Sequence, residues 1–274
     1  MTREWTRYWR SGDRPLEAMH AHIERHAYHR HSHETYSFGV TEDGRQAFRC
    51  RGAAHTSTAG MVMAFNPDDP HDGHPADPLG FTYRIVHIGP EVVSGVLADI
   101  AGRPAAAPLF AAPVVADALL ANGLSALHGA LLNGAPALRR DELLTAAVGA
   151  MVNRAATGPL RAAPPPGVAR IAERARLRLD EAPLQDVSGG ALAEAAGCSR
   201  FALYRAFRQV HGMAPSDYQR QLRLRAAQRL LARGEPIGAV AARTGFADQS
   251  HLTRWFVRCF GITPGAYRRA TAPD

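Results

Sequence analysis

The sequence predicts a two-domain α+β chain. An N-terminal β-barrel is followed by its own helices, and an all-α C-terminal domain carries two helix-turn-helix units joined by a linker helix. Three observations predict this. The segment 157–167, TGPLRAAPPPG, contains three consecutive prolines that no helix or central strand can run through, so it reads as a linker. The charge divides at the same place. A sequence unit also repeats itself after that point and nowhere before it.

The elements before the linker follow from local patterning. At 274 residues the chain has room for two domains of roughly 100–200 residues each. An apolar fraction of 46% with 21% charged residues permits a sizeable core and argues against wholesale disorder. Residues 19–89 read as β. The runs Tyr36–Thr41, Gln46–Cys50, Met61–Phe65 and Phe81–Ile88 are β-favouring and separated by turn residues. Asp43-Gly44 reads as a hairpin turn between the first two, and Asn66-Pro67 with Asp69-Pro70 punctuates the next connection. From residue 90 to 156 the texture becomes helical, over Pro90–Ile100, Val114–Leu132 and Leu138–Ala156. In the last of these Leu144, Val148 and Met151 lie along one face, which either packs on the barrel or forms a dimer interface.

Several classes are excluded. No stretch approaches the ~18 uninterrupted apolar residues of a membrane helix. The opening MTREWTRYWRSGDRP lacks the apolar core of a secretory signal. Three widely spaced cysteines, Cys50, Cys198 and Cys259, make no disulfide framework. The expectation is a cytoplasmic chain with no membrane partner.

Residues 1–167 carry 15 Arg against 16 acidic residues, whereas residues 168–274 carry 17 Arg against 9. The sequence has no Lys, and eleven of its thirteen His precede residue 130. A neutral, His-rich domain therefore precedes a basic, Arg-rich one of about +8, the electrostatic footprint of nucleic-acid binding.

The repeat decides the second half. Ala193-x3-Gly197, Leu203-x-Arg205-x-Phe207 and Gly212-x2-Pro215-x2-Tyr218-x-Arg220 recur as Ala241-x3-Gly245, Leu252-x-Arg254-x-Phe256 and Gly261-x2-Pro264-x2-Tyr267-x-Arg269. From Phe207 to Phe256 and from Pro215 to Pro264 the offset is 49 residues. Each copy reads as a short helix (Leu192–Ala196 or Ile237–Arg243), a left-handed glycine, an N-cap (Ser199 or Asp248) and a second helix. That second helix buries Leu203 and Phe207, or Leu252 and Phe256. Its other faces carry Arg200, Tyr204, Arg205 and Arg208, or Gln249, Ser250, His251, Arg254 and Arg258. This is helix-turn-helix chemistry, the second helix shaped to enter a major groove of double-stranded DNA. Ser216–Leu231 joins the copies as a continuous helix, and Val168–Asp180, with Ile171, Ala175 and Leu179 on one face, precedes them.

At this point the chain resembles the AraC/XylS family of transcription regulators. PIGAVAARTGFADQSHLTRWFVRCFGITPGAYRR is similar to the family signature, and ALAEAAGCSRFALYRAFRQVHGMAPSDYQRQLRLRAAQRLL to the part before it. The resemblance implies a seven-helix domain over 168–274 and control of transcription, often activation through contact with RNA polymerase. It further implies base contacts at Arg200, Phe201, Tyr204, Arg205, Gln249, Ser250, His251 and Arg254. Phe201 and Tyr204 are aromatic, so the first copy favours thymine methyls, and Arg205 and Arg254 serve either base edges or phosphates.

The front half contains Tyr28-His29-Arg30-His31-Ser32-His33-Glu34 and, after the strand ending at Phe65, Pro70-His71-Asp72-Gly73-His74. His-x-His on a strand places both imidazoles on one face, and a third imidazole completes a site with an open position. The arrangement resembles a cupin barrel, and the family's sensing domain, here 1–156, is cupin-like. Metal cupins carry a glutamate beyond the His pair, where this chain has Ser37, Phe38 and Gly39. The expectation is therefore no cofactor. His31, His33 and His71 rim an effector pocket, with Tyr83 and Arg84 as contacts to a polar or acidic small molecule, and are the set a metal would use. His20, His22, His26, His55, His87 and His128 are assigned to structure or surface. The reading is a non-enzymatic, small-molecule-responsive regulator, expected as a homodimer. Its alternatives are a metal-dependent cupin enzyme fused to a DNA-binding domain, and a ligand-independent regulator whose barrel only dimerises.

Overall fold

The computed structural model describes residues 4–101, 104, 106–157, 166–185 and 187–271. Most of the proline-rich segment 157–167 lies outside the described residues. The chain divides into two compact units, Met1–Leu160 and Arg161–Asp274.

The first unit begins with strands β1 (Trp5–Arg10), β2 (Leu16–Ile23), β3 (Tyr28–His31) and β4 (Tyr36–Cys50). Next come β5 (Ala53–Thr58), β6 (Val62–Phe65), β7 (His71–Pro75) and β8 (Phe81–Ile88). Helix α1 (Pro90–Ala101), the short strands β9 (Leu109–Phe110) and β10 (Val114–Val115), helices α2 (Ala118–Leu132) and α3 (Ala137–Ala155), and β11 (Ala156–Thr157) complete it. The sheet runs β1-β2-β8-β4-β6-β10, while β5 and β7 pair with β4, and β3 with β7. All its pairings are antiparallel. Strand β4 therefore belongs to two sheet halves, and these face a common interior filled by Met19, Ala21, Ile23, Phe48, Cys50, Met63, Phe65, Phe81, Tyr83 and Ile85.

Side-chain alternation builds a second layer on the opposite face. Leu16, Ala18, Phe38, Val40, Val86 and Ile88 point away from the interior and pack against Leu120, Leu124, Leu127, Leu144, Val148 and Met151 of α2 and α3. Leu144, Val148 and Met151 are at most 2% exposed, so this stripe is spent within its own unit and is not a dimer face. Fully burying each such side chain stabilises by about 1.5–3 kcal/mol.

Three local expectations are corrected. The β region starts at Trp5 and not near 19, because β1 pairs along β2 from Trp5↔His22 to Arg10↔Glu17. Asp43-Gly44 is not a hairpin turn. Strand β4 runs through it with a register shift between Thr41 and Asp43, where the strand passes from one sheet half to the other. Gly44 has φ 71°, and a Cβ there would lie 2.1 Å from the Gly80 carbonyl oxygen. The glycine thus serves a close backbone approach. Finally, Val114–Leu132 is not one helix. Val114-Val115 pairs with Met63 and Val62 as β10, and Asp117 caps α2 by accepting from the Leu119 and Leu120 amides.

The second unit is all helical: α4 (Pro166–Glu181), α5 (Gly189–Ala196), α6 (Arg200–His211), α7 (Pro215–Ala232), α8 (Ile237–Arg243), α9 (Gln249–Phe260) and α10 (Pro264–Thr271), seven helices among the described residues. Ala175 and Leu179 of α4 join Leu192, Ala193, Ala196, Leu203, Phe207 and Tyr218 in one core. The three cysteines of the chain form no disulfide. Among the described residues no helix is long and apolar enough to cross a membrane.

Candidate functional site

The helical unit repeats in three dimensions as it does in sequence. Helix α5 ends at Gly197 (φ 68°), and Ser199 caps α6 by accepting from the Ala202 amide at 3.2 Å. In the second copy Gly245 takes φ 75°, and Asp248 caps α9 by accepting from the His251 amide at 2.6 Å. Both second helices end on left-handed glycines, Gly212 (φ 69°, ψ 0°) and Gly261 (φ 67°, ψ 4°). The buried aromatic pairs also repeat. Phe207 and Tyr218 meet at 5.5 Å and 68°, Phe256 and Tyr267 at 5.4 Å and 65°.

With Leu203 and Phe207, and Leu252 and Phe256, wholly buried, the opposite faces of α6 and α9 turn outward. Arg200, Tyr204, Arg205 and Arg208 are exposed on α6, and Gln249, Ser250, Arg254 and Arg258 on α9. Tyr204 reaches back over the first turn of α5, where a Cβ on Gly189 would meet its hydroxyl at 2.2 Å. The glycine pair 189–190 is the sequence signal for that approach. The Phe201 side chain lies outside the described ones. His251 departs from the expectation of an outward base reader. It is half-buried, with its ring against Phe246 and its Nε2 accepting from the Trp255 indole at 3.1 Å.

Arg223, which sequence reasoning missed, holds the two copies together. From the long helix α7 its guanidinium donates to the Gly245 carbonyl at 3.1 Å and to the Gln185 carbonyl at 3.2 Å, touching the turn of one copy and the entry to the other. A run of arginines on a basic helix gives no hint of which one reaches the neighbouring turns. Arg220 stacks on Trp255 at 3.7 Å, a further tie between α7 and α9.

In the first unit the histidines gather. His31 on β3 and His71 on β7 are cross-strand partners, and His71 is in turn the partner of Cys50 on β4, so the three form a row on one face. Strand β3 ends at His31, so the expected His-x-His strand face does not form, and His33 reaches the group from the following segment. Ring centroids lie 4.6 Å apart for His31–His71, 4.9 Å for His31–His33 and 5.4 Å for His33–His71. His87, assigned above to structure or surface, belongs to the same group, its ring 4.5 Å from His33 and its Nδ1 2.8 Å from the Ser37 hydroxyl. No sequence signal separated it from the other scattered histidines. Burial disfavours the charged imidazole, pushing His31 down to about 3 and His71 and His87 to about 4. His31, His71 and His87 are therefore neutral at physiological pH.

Tyr83 and Arg84 cannot line one interior pocket, because adjacent strand residues point to opposite faces. Tyr83 is inside, its hydroxyl 2.8 Å from that of Tyr28, and burial raises both phenols, Tyr28 to about 12. Arg84 is on the α2 side, paired with Glu42, which also holds His20 at 2.6 Å.

The sequence profile of the AraC-like ligand binding domain matches residues 15–148, and that of the helix-turn-helix domain matches 192–270. The chain belongs to the AraC family. A full-length relative of this AraC-family chain is the uncharacterized HTH-type transcriptional regulator YbfI of Bacillus subtilis, 29% identical over 85% of this chain and 86% of that one. The HTH-type transcriptional activator RhaR of Klebsiella pneumoniae is 42% identical over 28% of this chain and 27% of its own. Among solved structures, unsaturated fatty acid-bound ToxT from Vibrio cholerae superposes with a TM-score of 0.56 at 12% identity, covering 100% of both chains. At that identity the likeness concerns the fold alone. This AraC-family chain is thus a transcriptional regulator with an N-terminal ligand-binding domain and a C-terminal helix-turn-helix DNA-binding domain.

Proposed function

We propose that the chain reads two adjacent major grooves of double-stranded DNA per protomer, α6 in one and α9 in the next, under control of a small molecule held in the N-terminal barrel. The duplicated units with matching caps and aromatic pairs carry this reading, because both copies turn an equivalent basic face outward. Arg205 and Arg254 sit at equivalent positions of the repeat and contact base edges. Arg200, Tyr204, Gln249 and Ser250 add contacts from the first turns, and Phe201 meets thymine methyls. Arg208 and Arg258, a turn further on, hold phosphates. Helix α7, 18 residues long, spans about 27 Å, a spacer on the scale of the ~34 Å between successive groove faces. In this reading the protein acts in the cytoplasm as a homodimer that contacts RNA polymerase, 157–167 links its two domains, and it performs no catalysis.

The test is Arg254→Ala, measured on a duplex selected from a random pool by the wild-type protein and on unselected duplex. Loss of a bidentate base contact costs about 1–3 kcal/mol on the selected site. An equal loss on unselected DNA overturns base reading by Arg254 and leaves a phosphate contact.

A further inference from the structure

The histidine group in the barrel exceeds what packing requires. One ring nitrogen from each of His31, His33 and His71 lies within 4.8 Å of the others. His31 and His71 are held alike. Nδ1 of His31 bonds to the His29 carbonyl oxygen at 2.7 Å, and Nδ1 of His71 to the Asp69 carbonyl oxygen at 2.8 Å. A carbonyl oxygen only accepts, so each Nδ1 carries the proton and each Nε2 carries the lone pair. Such outer bonds fix the tautomer and ring orientation of metal-binding imidazoles. Phe65 stacks flat on His71 at 4.1 Å and 5°, further locking that ring. His31 and His71 are 4% and 6% exposed, whereas His33 is half-buried, leaving one side of the group toward entry.

We infer that His31, His33 and His71 form a binding site for one divalent transition-metal ion of the zinc type inside the ligand-binding domain. Imidazole nitrogens suit Zn²⁺, Co²⁺, Ni²⁺ and Fe²⁺, and hard Ca²⁺ or Mg²⁺ would call for oxygen ligands instead. Bonds of about 2.0–2.1 Å in a tetrahedral set place the nitrogens about 3.4 Å apart, so each moves by under about 1 Å to close the site. Three neutral ligands leave the ion's double charge uncompensated and its fourth position open. That position takes water, hydroxide or an oxygen-donor anion, and an effector with a carboxylate or similar oxyanion fits it. His87, 4.5 Å from His33 and held through Ser37, stands on the same interior face and is placed to hydrogen-bond that fourth ligand. The site rests on the reading of this domain as the effector domain, and deepens it.

The experiment is titration of the chelator-treated full-length protein with Co²⁺, followed by visible absorption, with Zn²⁺ as competitor. One Co²⁺ per chain with intense tetrahedral bands, displaced by Zn²⁺, is the expected result. His71→Gln and His33→Gln each lose it, with unchanged circular dichroism, while His74→Gln, an exposed neighbour on β7, retains it. His33 is half-buried, so its variant remains informative if that of His71 fails to fold. No uptake by the folded wild type, or uptake undiminished in the folded His33→Gln protein, overturns the site. Retardation of DNA by the same samples, measured in parallel, separates the two readings. Wild-type protein that takes up no added metal yet binds DNA refutes the metal site alone, and protein that takes up metal without binding DNA refutes the regulator reading alone.

Discussion

Asp248 separates the cap of a DNA-reading helix from its charge. Its carboxylate accepts the His251 amide at 2.6 Å from an extended residue (φ −160°, ψ 176°), satisfying one of the orphan donors in the first turn of α9. The same negative charge sits at the positive end of the helix dipole. Asp248→Ala removes both, and the expected cost is about 1–2 kcal/mol, or about 4–8 °C of melting temperature of the helical unit for each kcal/mol lost. Asp248→Asn keeps an equivalent cap and loses only the charge–dipole attraction, about 0.3–1 kcal/mol. DNA binding moves differently. A carboxylate at the exposed start of α9 repels phosphates, so Asp248→Asn is expected to bind unselected duplex more tightly than wild type. Asp248→Ala gains the same charge relief but frays the turn bearing Gln249 and Ser250, so it falls below Asp248→Asn. Far-UV circular dichroism on heating and fluorescence anisotropy with labelled duplex measure the two effects. Equal destabilisation by Asn and Ala refutes the hydrogen-bond account. Weaker binding by the Asn variant than by wild type refutes the phosphate-repulsion account.

Two further predictions concern the β unit. His128 is buried between α2 and the sheet, its Nε2 donating to the Met19 carbonyl at 3.0 Å, and burial holds its pKa at about 4. Above about pH 6.5 both folded and unfolded forms are neutral. Below it the unfolded chain takes up a proton that the folded one refuses, so stability falls by up to about 1.4 kcal/mol per pH unit until about pH 4. His128→Leu is expected to flatten this fall in chemical denaturation between pH 7 and pH 5, and an unchanged slope counts against the buried-neutral assignment. Gly44→Ala forces a Cβ to within 2.1 Å of the Gly80 carbonyl at a left-handed residue. It should destabilise the β unit by about 2 kcal/mol or more while leaving binding to unselected duplex intact. A β unit of wild-type stability would show that the crossing of β4 tolerates a side chain there.

The domain order, the double helix-turn-helix and the outward basic faces were legible because each rests on local rules. Glycine at a left-handed cap, serine or aspartate at an N-cap and apolar residues one turn apart act within a few residues, and the repeat spells them out twice. Where the rules failed, the partner was distant. Asp43-Gly44 has the chemistry of a hairpin, yet β4 continues because β8 on one side and β6 on the other pair with its first half, and a backbone at Gly80 fills the turn space. Val114-Val115 was drawn out of a helix by pairing with β6. His251 reads as exposed on a helical wheel but folds against Trp255 and Phe246.

The histidine group marks the same boundary. The sequence by itself set His31 and His33 two positions apart and offered His71, after the strand ending at Phe65, as a third imidazole of the same pocket. Only tertiary structure decided that His31 and His71 share a register, that His87 joins them from β8, and that Arg84 turns away from Tyr83 toward α2. Alternation says which residues share a face of one strand, but not which face looks inward, because that is settled when two sheet halves and three helices compete to cover the same apolar surface.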